Sequence, residues 1–157
     1  MNSTRAEGQL IQLDEARKAL AKVVRVDEAK KIRDKAEALR NYAKQQKLGL
    51  ESQNHAAEIK IRAERRAGEL LAAVERAKPG PRDKRQRDAQ PGFRDTIESA
   101  GISEPSARRW QKIASIPEPR FEQVIATVKD VEDKELTSSL VASVARSEKP
   151  VNEAVSG

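Results

Sequence analysis

The chain has 157 residues, enough for one domain or two small modules; 36% are charged, 37% hydrophobic and only 3% aromatic. It has no cysteine and a single histidine, His55, which excludes disulfides, thiolate metal sites and a histidine zinc cluster. Formal net charge is +6 with a pI near 9.7, a balance that attracts phosphates but is shared by many proteins that bind none.

No apolar run approaches the ~20 residues that span a bilayer. The opening "MNSTRAEGQL" lacks the apolar core of a secretory signal, so the expectation is a cytoplasmic protein without membrane contact. With aromatics so scarce, Ala, Leu, Val and Ile must supply the core. Small and branched aliphatics suit interlocking helix pairs, and an all-α fold is predicted.

Residues 1–9 are expected to be disordered, and residues 10–77 to form an N-terminal helical region for dimerisation or partner binding. Leu13, Ala16, Leu20 and Val23 recur at helical spacing and predict a first helix over about 12–24. Asp27 is the expected N-cap of a second helix, whose seam is Ala29, Ile32, Ala36, Leu39 and Ala43. Gly49 is its expected stop. A long third helix, about 51–78, carries the stripe Ala56, Ile59, Ala63, Ala67, Leu70 and Val74, with Ala57, Ile61, Gly68 and Leu71 beside it. That face is wide enough to meet more than one neighbour. The short link 48–50 favours an antiparallel hairpin between helices two and three. The run "RAERR" at 62–66 suggests a nucleic-acid arm, but Glu58 and Glu64 interleave opposite charge, so a solvated, salt-bridged face is expected. His55 is read as a surface or capping residue.

Residues 78–92, "KPGPRDKRQRDAQPG", hold three prolines and two glycines and form the expected basic linker. Arg82, Lys84, Arg85 and Arg87 can track phosphates there; solubility accounts for them equally well. Basic residues outnumber acidic ones 17 to 12 over 1–77 and 5 to 2 over 78–92. They stand at 4 to 3 over 93–116, and the sign reverses to 5 against 8 over 117–157.

Residues 93–146 read as a helix-turn-helix-type module. "FRDTIESA" (93–100) is its first helix; Gly101 supplies a positive-φ turn and Ile102 an apolar plug. Ser103 caps a second helix over about 104–115, with Pro105 in its first turn and Pro117 as its stop. At 100° per residue Trp110, Ala107 and Ala114 share one side, with Ile113 on the flank. Pro105, Arg108 and Lys112 face away, and Glu104, Arg109 and Gln111 occupy the shoulders. An apolar anchor opposite a basic, amide-bearing face is what a major-groove helix requires. Arg108 or Arg109 can bind guanine, Gln111 adenine, and Lys112 or Ser106 phosphate. The glycine turn and the Ala/Trp spacing resemble the helix-turn-helix pattern. Ile97 departs from it, because a small residue there lets the helices approach. Glu104 would repel phosphate unless it reads a cytosine amino group, and an ordinary helical hairpin remains the other reading. Trp110 is expected in the core, not as a base-stacking platform.

Two further helices are predicted from Phe121, Val124, Ile125 and Val128, then from Leu136, Leu140, Val141 and Val144. They either complete the module's core or dimerise, pairing two recognition helices about a two-fold axis. Residues 147–157 are expected to be disordered.

The phrases "KAEALRNYAKQQ", "AAEIKIRAERRAGELL" and "GISEPSARRWQKIASIPEPRFE" resemble a family of small helical proteins of phages and other bacterial mobile elements, over roughly residues 10–125. In that family an N-terminal helical segment precedes a helix-turn-helix. The resemblance implies context and architecture, since the family has no secure activity. From Phe93 onward the chain is also similar to the helix-turn-helix of plasmid-partition and plasmid-regulator proteins.

The expected function is therefore sequence-specific binding of double-stranded DNA by a homodimer. The chain would serve a phage or mobile element as a transcriptional regulator or an accessory segregation or replication factor. Ser106, Arg108, Arg109, Gln111 and Lys112 are the expected contacts, aided by the linker cations. No cofactor is expected, and the absence of a Gly-rich phosphate loop, nucleophile motif or metal-ligand spacing argues against an enzyme. The rivals are a helical adaptor that binds a host or phage protein, and an oligomeric DNA-packaging component.

Overall fold

The structure, a computed structural model, describes residues 2–77, 91–147 and 149–156, with side chains from Gln12 onward. Among these residues there are eight α-helices and no strand, so the fold is all-α. In chain order they are α1 (Asn2–Lys22), α2 (Val26–Gln45), α3 (Leu50–Arg76), α4 (Phe93–Ala100), α5 (Glu104–Ala114), α6 (Glu118–Asp130), α7 (Ser138–Arg146) and α8 (Val151–Ser156).

Leu13, Leu20 and Val23 are buried, as their spacing predicts. The helix that carries the first two starts at Asn2, however, and residues 2–9 lie within it rather than in a disordered leader. Arg5, Ala6, Glu7 and Leu10 are favourable helix residues, and extending an existing helix costs far less than nucleating one.

The N-cap of α2 is Arg25, with no side-chain capping bond; Asp27 sits inside the first turn and receives Arg25 Nε and Nη2 at 3.1 and 3.2 Å. Ala29, Ala36 and Ala43 are buried along its seam, but Leu39 is 52% exposed. At 100° per residue Leu39 lies about 60° to one side of the line through Ala29, Ala36 and Ala43, which places it on the solvent flank of the seam. At the end of α2, Lys47 takes the left-handed conformation (φ 55°), while Gly49 is the N-cap of α3. The cation pairs Arg33–Glu64 (3.2 Å) and Lys60–Glu37 (2.8 Å) advance along α2 as they retreat along α3, so the two helices run antiparallel. Small alanines let their backbones approach.

Helix α3 threads every core. Ile59 packs with Leu13 and Ala36; Ala67 and Leu71 pack with Val26, Ala29, Ile97 and Trp110; Ala57 and Ile61 pack with Ile113 and the aliphatics of α6 to α8. Its broad apolar face thus meets several neighbours at once. The segments expected as separate modules share these cores: α3 crosses α5 at Gly68, where an added Cβ would overlap the Trp110 carbonyl.

The turn between α4 and α5 follows its local signals. Gly101 has φ 69° and ψ 36°, and the Ile102 N–H donates to the Ile97 carbonyl at 2.8 Å, closing the helix end. Ile102 is buried, and Ser103 Oγ accepts from the Ser106 N–H at 3.3 Å. Phe121, Val124, Ile125 and Val128 of α6 and Val141 and Val144 of α7 are buried as predicted. The expected disordered tail is instead α8 over most of its length. Val151 and Val155, four residues apart on one face, are buried in the largest core cluster.

Candidate functional site

Helix α5 is two-sided. Ala107, Trp110 and Ile113 are buried, with Trp110 between the other two on the inner face and Ala114 partly buried. The Arg33 guanidinium covers the Trp110 ring at 5.8 Å from its centroid, so the indole is a core anchor. The outer face carries Arg108, Arg109 and Lys112, all exposed.

These side chains are not equivalent. Arg108 Nη1 donates to Glu75 of α3 at 2.8 and 3.0 Å and to Gln111 Oε1 at 3.0 Å, and its guanidinium lies 4.4 Å from the Phe93 ring centroid. Gln111 Nε2 in turn reaches Glu75 at 3.4 Å. Arg108 and Gln111 therefore tie α5 to the end of α3 and to α4. Arg109 donates only to Ser106 Oγ, at 3.0 Å, and neither Arg109 nor Lys112 has a carboxylate within ion-pair distance among the described residues. Arg82, Lys84, Arg85 and Arg87 lie outside the described residues.

Arg109 and Lys112 border a cavity of about 350 Å³ between α5 and α7. Its floor is Ile61, Ile113 and Leu136, and its far wall is Ser139, Ala142 and Arg146, spaced to share one face of α7. Arg33, Arg40, Lys60 and Glu64 also line it. Most of that inner charge is spent within the fold. Arg33 pairs with Glu64 and Asp34, Arg40 with Glu135 at 2.7 Å, and Lys60 with Glu37. Glu64 also accepts the Ser138 hydroxyl at 2.6 Å. Among the described residues, the lining cations without a carboxylate are those at the mouth: Arg109, Lys112 and Arg146, whose Nε donates to the Ala142 carbonyl at 3.4 Å. Periodicity shows Arg109 and Lys112. Arg146 lies on α7, a separate helix from Arg109 and Lys112, and no local signal assigns it to the same mouth.

The "RAERR" run is the salt-bridged face expected, but its arginines are partly buried against other helices rather than solvated. Glu58 is fully buried and Glu64 nearly so. Arg62 binds Glu122 at 2.6 and 2.8 Å and Glu58 at 2.9 Å; Arg65 donates to the Ile116 carbonyl, and Arg66 to the Val23 carbonyl. Lys129 completes the shell of Glu58 at 2.7 Å, with Arg17 at 3.3 Å. Burial opposes a charge on Glu58, but the hydrogen bonds from Lys129 and Arg62 outweigh it and hold the carboxyl below the usual glutamate value. Charge alternation at helical spacing is legible in the sequence; which helices close over it is not. His55 is partly buried within α3 and is not its cap.

No helix among the described residues is long and apolar enough to cross a membrane. No protein-family model, curated protein or solved structure matches the chain.

Proposed function

We propose that this chain is a sequence-specific double-stranded DNA-binding protein that presents the outer face of α5 to DNA. The supporting observation is the asymmetry of α5: a fully packed inner side anchored by Trp110, and an outer side where Arg109 and Lys112 stand exposed without a carboxylate partner among the described residues. A helix held this firmly presents its side chains without a further ordering cost on binding. Arg109 is suited to bidentate contact with guanine and Lys112 to phosphate. Ser106, hydrogen-bonded to Arg109, orients it. Arg108 and Gln111 reach DNA only by releasing Glu75, so they rank below Arg109 and Lys112. Regulation, segregation or replication in a phage or mobile element is the setting that the family resemblance suggests.

The test is selection of bound sequences from random duplexes at about 150 mM salt, followed by mobility shifts with variants. Arg109→Ala is expected to cost about 1–3 kcal/mol and to change sequence preference, and Lys112→Ala to reduce the salt slope by about one. Failure to enrich any sequence, or unchanged binding in the double variant, overturns the proposal.

An adaptor role has one observation in its favour. Leu39 and Tyr42, 52% and 57% exposed, are adjacent on the outer side of α2. The apolar stripe of α3 from Ala56 to Ala67 is buried within the chain, with Leu70 and Val74 half-buried. Pull-down that depends on Leu39 and Tyr42, without any duplex selection, would favour the adaptor.

A further inference from the structure

The cavity between α5 and α7 combines an apolar floor with a third mouth cation, Arg146, and neither is required by a duplex lying on the outer face of α5. We propose that it is a binding site for a free nucleotide, with the phosphates at the mouth and the base over the floor. Three arguments lead there. The volume, about 350 Å³, lies at the lower end of the roughly 300–1,000 Å³ typical of small-ligand pockets and is far too small for a double helix. Arg109 and Lys112 on one wall and Arg146 on the other are the lining cations with no carboxylate partner among the described residues, whereas Arg33, Arg40 and Lys60 are neutralised from within. Cations converging from two walls suit a group with several charged oxygens, as phosphate has, better than a single carboxylate. The first turn of α7, with Ser138 and Ser139 in the lining, adds the N–H groups of those two residues, which have no intrahelical acceptor, while that of Leu140 is capped by Thr137 Oγ1. The floor of Ile61, Ile113 and Leu136 offers an apolar surface that an inorganic anion would not use.

The site shares Arg109 and Lys112 with the DNA-facing surface but does not rest on DNA binding. Its test therefore uses residues on α7 that the DNA reading leaves out. Titration calorimetry with ATP on the full chain, at about 0.1 M salt where exposed charges are screened beyond about 10 Å, should show saturable binding. Pyrophosphate should bind at least tenfold more weakly, because it cannot occupy the floor. Arg146→Ala should weaken ATP at least tenfold, and Arg146→Lys should recover part of the loss. Ala142→Phe, which fills the cavity, should abolish ATP binding while leaving the binding of any selected duplex unchanged. Arg94→Ala, on an exposed residue outside the lining, should bind ATP as wild type does. Circular dichroism verifies folding, and the exposed Arg146 gives a readable result even if Ala142→Phe fails to fold. The proposal is overturned by absence of saturable ATP binding, by pyrophosphate binding as tightly as ATP, or by wild-type affinity in Arg146→Ala. It is also overturned if a single-stranded oligonucleotide binds through Arg146 and ATP does not compete with it.

Discussion

Gly68 lies in the middle of α3, where alanine would ordinarily gain about 1 kcal/mol of helix propensity. Here that gain is outweighed. A Cβ at Gly68 would overlap the Trp110 carbonyl and come within 2.9 Å of the Gln111 nitrogen, and both are backbone atoms that cannot swing aside. Helices α3 and α5 would have to part, loosening Ala67, Leu71, Ala107 and Trp110 together. Gly68→Ala is therefore expected to destabilise by about 1–3 kcal/mol despite its better propensity. Urea denaturation checks it, and a variant as stable as wild type would show that the crossing is looser than described. The role of Trp110 as an anchor was visible from its position opposite Arg108 and Lys112. The role of Gly68 was not, because nothing near it in sequence tells which helix will cross there.

At the level of elements, the same distinction separates what the sequence reveals from what it hides. Helices α4 and α5 have near the predicted bounds because their signals are local: Gly101 for a positive-φ turn, Ser103 for a cap, Pro105 for a first turn and Pro117 for a stop. Asp27 also looked like a local signal, but Val26 is needed in the core with Val23, and the N-cap is Arg25, two residues earlier. Helix α8 has only Val151, Ala154 and Val155 in phase, and its order comes from α6 and α7, so the tail read as polar and free. The candidate site divides likewise: Arg109 and Lys112 follow from periodicity, whereas Arg146 needs the tertiary fold. Contact with α6 and α7 makes α8 a stabilising element. Replacing both Val151 and Val155 by alanine removes four buried carbons, at about 0.8 kcal/mol each before any cavity term. A loss of about 3 kcal/mol is expected for Val151→Ala/Val155→Ala, read as a lower denaturation midpoint with an unchanged slope. No change in midpoint would mean that α8 is not part of the folded core.

Across the whole molecule, ion pairs join helices that hydrophobic contact alone would leave free to slide. Glu58 and Glu122, with Arg17, Arg62 and Lys129, link α1, α3 and α6; Glu37 and Glu135, with Arg40, Lys44 and Lys60, link α2, α3 and the segment before α7. Burial pushes the Glu58 carboxyl up, but Lys129 and Arg62 bring it below 4.5, its ordinary value. Hydrogen bonds from Arg62 lower Glu122, and those from Arg40 and then Lys44 lower Glu135. Burial of Glu37 is overcome by Lys60 and Arg40. A carboxyl with a depressed folded pKa takes up its proton more readily in the unfolded chain. Its stabilisation is therefore complete above the unfolded value and is lost as pH falls through the folded one. All four shifts have this sign, so the melting temperature should be nearly flat from about pH 8 to 6 and fall steeply once pH drops below about 4.5. The chain, already at +6, then gains further positive charge, which adds self-repulsion. Glu58→Gln separates the local from the general effect. At neutral pH it leaves Lys129 and Arg62 facing a neutral buried amide and should cost about 1–3 kcal/mol. As pH falls through the depressed folded value the wild-type carboxyl itself becomes neutral, so the two melting temperatures should converge. Melting curves of both proteins across this range decide the matter: a gap that stays constant with pH would mean that the Glu58 charge is not what holds α1, α3 and α6 together.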